Sequence, residues 1–205
     1  MAAQVFGMSE LNTTLAGLIG SRICHDLISP IGAINNGLEL LGMSGNPAGP
    51  EIGLIGESVG NASARIRFFR IAFGAAGDQL VGPAEVQSIL RDLYDASRLS
   101  PEWKVETPAH RTDVRLAFLA IMCIETAMPY GGRVEVTHHE GTWQLNGTAD
   151  RINVDTDLWA LLSGSAACKD LLPSHVQFAL LPLIAQDSTR RVTCQSDETT
   201  IKVEL

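Results

Sequence analysis

Apolar residues in the N-terminal part of the chain recur at steps of three and four. Ile23, Leu27, Ile31, Ile34, Leu38 and Leu41 form one stripe, the spacing that keeps side chains on a single face of an α-helix. No strand-like alternation interrupts the stretch from about Ser9 to Met43, which therefore predicts one long helix. The run Gly42-Met43-Ser44-Gly45-Asn46-Pro47-Ala48-Gly49-Pro50 ends it with helix breakers, and Pro50 followed by Glu51 suits the first turn of a second helix. That helix carries Ile52, Ile55, Val59, Ala62, Ile66, Phe69 and Phe73 in strictly alternating steps of three and four. Such a seam belongs to a coiled-coil-like bundle, and it leaves Arg65, Arg67 and Arg70 on the more exposed flanks. Residues 1 to 77 read as an antiparallel helical hairpin. A lone hairpin cannot enclose its apolar stripes, whereas two copies can close a four-helix bundle, so a homodimer is expected.

Beyond Gly74-Ala75-Ala76-Gly77 the period changes. Helices are predicted near Pro83 to Arg98 and Thr112 to Met128, with a strand near Trp103 to Thr107 between them. Strands at Arg133 to His138 and Thr142 to Thr148 follow, then helices near Asp155 to Ser163 and Ser174 to Gln186, and strands near Arg191 to Gln195 and Thr200 to Glu204. Residues 78 to 205 thus form a second domain, and the fold class is α+β. His138 and His139 are adjacent on a strand and face opposite ways, so they cannot share a metal and read as half-exposed sheet residues. Trp103, Trp143 and Trp159 read as core.

Composition narrows the partners. A formal charge of -8 argues against a chain built to grip phosphate backbones, so direct nucleic-acid binding is not expected. The first basic residue is Arg22, which leaves no charged leader ahead of an apolar segment, and the longest uncharged run, Leu171 to Gln186, holds two prolines and a histidine. A cytoplasmic protein without a membrane partner is expected. Cys24, Cys123, Cys168 and Cys194 have no CxxC spacing and no paired histidine ligands, and read as reduced, mostly buried thiols rather than a zinc or disulfide framework.

One stretch stands apart: Ser21-Arg22-Ile23-Cys24-His25-Asp26-Leu27-Ile28-Ser29-Pro30 holds the only histidine of the first hundred residues, next to an acid. At 100° per residue, His25 points about 165° away from the mean direction of the apolar stripe, hence to solvent. Ser29, Gly32 and Asn36 share its side, with Ser21 and Arg22 at the edges, giving a flat surface of small and polar groups that a partner backbone could approach closely. Pro30 has no N–H to give the carbonyl of Asp26, and predicts a kink one turn after the histidine.

An exposed imidazole on a bundle helix, followed within five residues by an acid, a hydroxyl and a proline, resembles the H-box of sensor histidine kinases and histidine phosphotransferases. The longer run His25-Asp26-Leu27-Ile28-Ser29-Pro30-Ile31-Gly32-Ala33-Ile34-Asn35-Asn36-Gly37-Leu38-Glu39-Leu40 is similar to bacterial histidine phosphotransferases of the ChpT type. The resemblance implies that His25 is the phosphoacceptor, passing a phosphoryl group between aspartates of receiver domains, those of a hybrid histidine kinase and of response regulators. It implies Mg²⁺ on the receiver and no cofactor held by this chain. A neutral imidazole near its ordinary pKa of about 6.5 is a competent nucleophile at neutral pH. Asp26 matches the family's acid that orients or deprotonates the histidine; as the next residue it points about 100° away, so anchoring a basic group is the other reading. Ser29 matches a position at which bifunctional kinases orient a hydrolytic water, although a helix-kink or capping serine is the plainer reading.

The same resemblance makes the second domain similar to the ATPase domain of histidine kinases, an α/β sandwich, because Pro129-Tyr130-Gly131-Gly132-Arg133-Val134-Glu135-Val136 is similar to the segment after their metal-binding asparagine. That asparagine is absent: no Asn occurs from Arg111 to Arg133, where Cys123 or Glu125 stands instead. The DxGxG loop is replaced by Leu145-Asn146-Gly147-Thr148-Ala149-Asp150, and the glycine-rich triphosphate loop by Leu171-Leu172-Pro173-Ser174-His175. Neither supplies the backbone amides of a phosphate cradle. A phosphorelay intermediate with a degenerate ATPase-like domain is therefore expected, against an active kinase core or a non-catalytic dimeric adaptor for response regulators.

Overall fold

The computed structural model describes residues 2–44, 50–75, 77–164 and 171–205, with the backbone alone for 2–10 and 44. Most of the breaker run and Cys168 lie outside the described residues. The chain divides into two compact units, one of Met1–Arg67 with Leu172–Val176 and one of Phe68–Leu171 with Gln177–Leu205.

The first unit is the hairpin. Helix α1 spans Ala2–Ser44 and helix α2 spans Pro50–Ala72, the latter with Pro50 and Glu51 in its first turn as the sequence requires. Gly37 marks the close approach of the two helices: a Cβ there would lie 2.6 Å from Ile55 Cγ1. The face that α1 buries within the chain carries Leu15, Pro30 and Gly37. Pro30 sits inside α1, turned to the interior rather than to water.

The apolar stripes behave differently from that buried face. Ile31, Leu38, Ile52, Val59 and Ile66 are between 47% and 53% exposed, and they recur every seven residues on each helix. Seven is the repeat that presents one seam to a neighbouring helix.

The second unit takes the last turn of α2 as its first element. Phe68 stacks on Phe118 at 4.5 Å with the rings 2° from parallel. Helix α3 spans Pro83–Tyr94 and helix α4 spans Arg111–Ala127. Every residue of α4 from Leu116 to Ile124 is buried, which fits a segment apolar all round its axis. Short strands β1 (Leu80–Val81) and β3 (Ala109–His110) pair antiparallel before α4 begins. The main sheet contains β2 (Leu99–Trp103), β4 (Gly132–His139), β5 (Thr142–Thr148), β6 (Thr193–Ser196) and β7 (Thr200–Glu204), in the order β2-β4-β5-β7-β6. Only the β2–β4 pair is parallel. A short helix α5 (Thr156–Ala160) runs into a 3₁₀ turn at Leu161–Ser163, and a second 3₁₀ turn at Pro173–His175 leads into α6 (Val176–Asp187).

Alternation sorts the sheet into two faces. Val134, Val136, Trp143, Leu145, Ile201 and Val203 are buried. The opposite face carries ion pairs such as Arg133 to Glu102 at 2.7 Å and Lys202 to Glu204 at 2.7 Å. Hydrogen bonds from Lys104 and Arg133 hold the Glu102 carboxyl below the usual carboxylate range. Gly147 of β5 lets α4 come close, since a Cβ there would meet Ile201 at 2.7 Å and Ile124 at 3.0 Å. The result is helices on the apolar face of a mixed sheet, the expected α/β sandwich.

Several boundaries differ from the sequence reading: α1 begins at Ala2 and not near Ser9, and the short strands β1 and β3 were not expected. Helix α3 stops at Tyr94, not Arg98, and the strand expected at Trp103 to Thr107 is β2 at Leu99–Trp103. Pro101 disguises that strand. It is tolerated because β2 is an edge strand, where the N–H that proline lacks has no ladder partner. The last strand pair begins at Thr193, two residues later than expected. His138 and His139 are both exposed, and the His138 ring stacks on buried Trp143 at 4.5 Å. Trp103, Trp143 and Trp159 are core. Of the described cysteines only Cys123 is buried, whereas Cys24 and Cys194 are exposed, a correction to the mostly buried reading.

Candidate functional site

The histidine stands where the helical count puts it. His25 lies mid-way along α1 with its side chain 86% exposed. Ser21, Ser29 and Asn36 on the same side of the helix are exposed, and Gly32 among them has open space where a Cβ would be. Ile28, which the sequence reading passed over, is 69% exposed beside this polar strip.

Asp26 contacts both a basic group and the neighbouring imidazole. Its side chain is 12% exposed and faces the interior of the hairpin. One carboxylate oxygen, Oδ2, accepts a hydrogen bond from Arg22 Nε at 2.7 Å and lies 3.7 Å from Arg65 Nη1 on α2. The other, Oδ1, lies 3.2 Å from His25 Nδ1. A carboxylate can anchor cations and touch the neighbouring imidazole together because its two oxygens point apart. Arg65 is itself held, donating from Nε to Asn61 Oδ1 at 2.9 Å.

Arg22 is not free for a partner in the way its place at the strip's edge suggested. Besides Asp26, it donates from Nη1 to the Ser174 carbonyl at 2.6 Å, so residues 172–176 of the same unit are tied to α1 one turn before the histidine. Arg65 and the Ser174 carbonyl are the components that sequence reasoning missed, and Arg65 is half-buried rather than flanking in water. Nothing in the spacing singled out Arg65: the reflection of α1 onto α2 that carries Gly37 to Ile55 carries Asp26 to Ile66.

An ionised carboxylate accepts and cannot donate, so where it is hydrogen-bonded to the neutral His25 ring the proton is on Nδ1 and the lone pair on Nε2. The ring itself stands on an open surface. Among the described residues no group of three or more His, Cys, Asp or Glu side chains could hold a metal ion. No helix among the described residues is long and apolar enough to cross a membrane.

Comparison with known proteins gives concordant results. Residues 83–200 match the family model for the histidine phosphotransferase C-terminal domain. The protein phosphotransferase ChpT of Brucella abortus (strain 2308) is 32% identical over 188 residues, covering 87% of this chain and 88% of its own length. A solved structure of a bacterial phosphotransferase superposes with a TM-score of 0.77 at 30% identity, covering 94% of this chain and 95% of that one. The histidine kinase AdeS of Acinetobacter baumannii aligns over 88% of this chain and 96% of its own, at 14% identity and a TM-score of 0.44.

Proposed function

Because the chain belongs to the histidine phosphotransferase family and serves as a phosphotransferase in a phosphorelay, we propose that His25 is the residue that carries the phosphoryl group. The observation that carries this assignment is an imidazole 86% exposed on a helix, with its Nδ1 against a half-buried carboxylate. The donor is the acyl phosphate of a receiver-domain aspartate. His25 Nε2 attacks phosphorus, an N–P bond forms, and the P–O bond to the donor aspartate breaks, its electrons leaving with the carboxylate. The ring becomes an imidazolium, with phosphate on Nε2 and the proton kept on Nδ1. Asp26 balances that positive charge and need not remove a proton. Reversal of these steps on a second receiver delivers the group, and Mg²⁺ on the receiver neutralises the phosphoryl oxygens. The partners we propose are the receivers of a hybrid histidine kinase and of response regulators.

The polar strip of Ser21, Ser29, Gly32 and Asn36 around His25 is the docking face, its small side chains letting a receiver's aspartate loop reach the ring. Arg22 supports that face from beneath. Ser29, exposed one turn from the histidine, is kept as a contact to the incoming phosphoryl group. The chain acts as a homodimer through the exposed seams of α1 and α2, and residues 78 to 205 form an ATPase-like domain without autokinase activity, since its nucleotide motifs are missing.

Incubation of the full chain with a phosphorylated receiver should produce an acid-labile, base-stable label on His25. Loss of that label in His25→Ala, with folding unchanged because the side chain is exposed, is the expected result. Persistent labelling of His25→Ala would remove the assignment, and a chain that binds receivers without ever taking the label would be an adaptor.

A further inference from the structure

The two arginines on Asp26 take no part in the chemistry at phosphorus. Neither touches the imidazole, and Arg65 comes from the other helix. Resting on the assignment of His25 as phosphoacceptor, we infer that Arg65 and Arg22 are positioning residues: they hold the Asp26 carboxylate in the orientation that fixes the proton of His25 on Nδ1 and the lone pair on Nε2.

The geometry divides the labour. Oδ2 is taken by Arg22 Nε at 2.7 Å with Arg65 Nη1 at 3.7 Å, which leaves Oδ1 as the oxygen that meets His25 Nδ1 at 3.2 Å. With Oδ2 unheld, the carboxylate could rotate about its terminal torsion, a soft degree of freedom. An exposed imidazole without its acceptor distributes the proton over both nitrogens, and only one of the two tautomers presents Nε2 as the nucleophile. Each guanidinium is anchored in turn, Arg65 by Asn61 Oδ1 at 2.9 Å and Arg22 by the Ser174 carbonyl at 2.6 Å. The clamp thus joins three segments of the first unit: α1 through Arg22 and Asp26, α2 through Arg65, and residues 172–176 through a backbone carbonyl. Arg22 is the link between that carbonyl and the carboxylate, because one fork serves both.

The test uses the full-length protein with Arg65→Gln, Arg65→Lys, Arg22→Gln, Asp26→Asn and the double variant Arg65→Gln/Asp26→Asn. Nitrogen-15 NMR of the His25 ring reads the tautomer directly, a quantity that mere loss of stability does not move. Wild type should show Nδ1 protonated and Nε2 bare. Arg65→Gln and Arg22→Gln should shift the ring toward a mixture and slow transfer from a phosphorylated receiver by about two- to fivefold, the fall in the share of the reactive tautomer. Arg65→Lys should restore part of it. If Arg65 acts through Asp26, adding Arg65→Gln to Asp26→Asn should cost no further rate. An unchanged tautomer in Arg65→Gln and Arg22→Gln, or fully multiplicative losses in the double variant, would overturn the clamp while leaving His25 as phosphoacceptor. Absence of label on wild-type His25 would instead overturn the functional assignment beneath it.

Discussion

At the residue scale, exposure and reactivity part company in this molecule. Cys194 is an exposed residue of edge strand β6, yet its register opposite Val203 aims its side chain at the apolar face of the sheet. It lines a cavity of about 450 Å³ with Trp159, Leu162 and Val192. Burial there disfavours the thiolate and pushes the thiol up to about 11. At pH 8 only about one molecule in a thousand then carries the nucleophilic form. Iodoacetamide should accordingly modify Cys194 of the native chain far more slowly than that of the urea-unfolded chain, with a rate rising about tenfold per pH unit until near 11. The native state holds this proton more tightly than the unfolded one, so its contribution to stability is present below the ordinary thiol range and is lost as pH rises through about 11. Equal native and unfolded rates at pH 8, followed by peptide mass spectrometry, would contradict the burial of the sulfur. His25 is the opposite case: an exposed ring with one nitrogen against a half-buried carboxylate.

Among the elements, α1 and α2 each carry two apolar surfaces with different duties. One closes the hairpin, and its closest approach is Ile55 against Gly37. The other is the seven-residue series Ile31 and Leu38 on α1, and Ile52, Val59 and Ile66 on α2, left half in water by a single chain. An exposed seam of that length is where the proposed homodimer would close. Ile31→Glu combined with Ile66→Glu should place charges in the seam of the dimer and yield a folded monomer, read by light scattering and circular dichroism. Ile55→Ala acts on the hairpin itself and should cost about 1–2 kcal/mol in urea unfolding, roughly half the loss for a fully buried isoleucine. Wild type that scatters as a monomer at micromolar concentration would refute the bundle. Strand β2 shows how an element can guard its own edge. Its Leu99 N–H is bonded to Ser97 Oγ at 3.2 Å, Pro101 has no N–H, and its Trp103 carbonyl accepts from Gln87 Nε2 at 3.2 Å. Few outward groups remain to template another strand.

For the molecule as a whole, the proposal that the second unit holds no nucleotide rests on charge and on the motifs its sequence lacks. A triphosphate needs amides, a metal or cations to offset its charge, and this chain carries a net charge of -8 with neither the asparagine nor the glycine loops in place. Calorimetry with ATP and Mg²⁺ should show no saturable binding at about millimolar nucleotide, an affinity weaker than roughly −4 kcal/mol. Saturable binding in that range would mean that other residues have replaced the lost motifs.

The period of the apolar residues determined the two long helices, their antiparallel return at the breaker run, the α+β character of the rest and the outward aim of His25, because each depends on local periodicity. Local spacing could not reveal which arginine meets Asp26. That contact joins α1 to α2, and Arg65 had the pattern of any flanking residue until the helices were laid side by side. Nor could it reveal that Arg22 turns inward, since the carbonyl it binds lies 152 residues away in sequence. The place of β2 was likewise a tertiary matter. Proline is a poor strand former in isolation, and only the position at the sheet's edge, where its missing N–H has no partner, makes Pro101 acceptable. What the sequence determined by itself is whatever one helix or strand can express alone; the clamp behind the histidine needed three segments brought together, and only the fold does that.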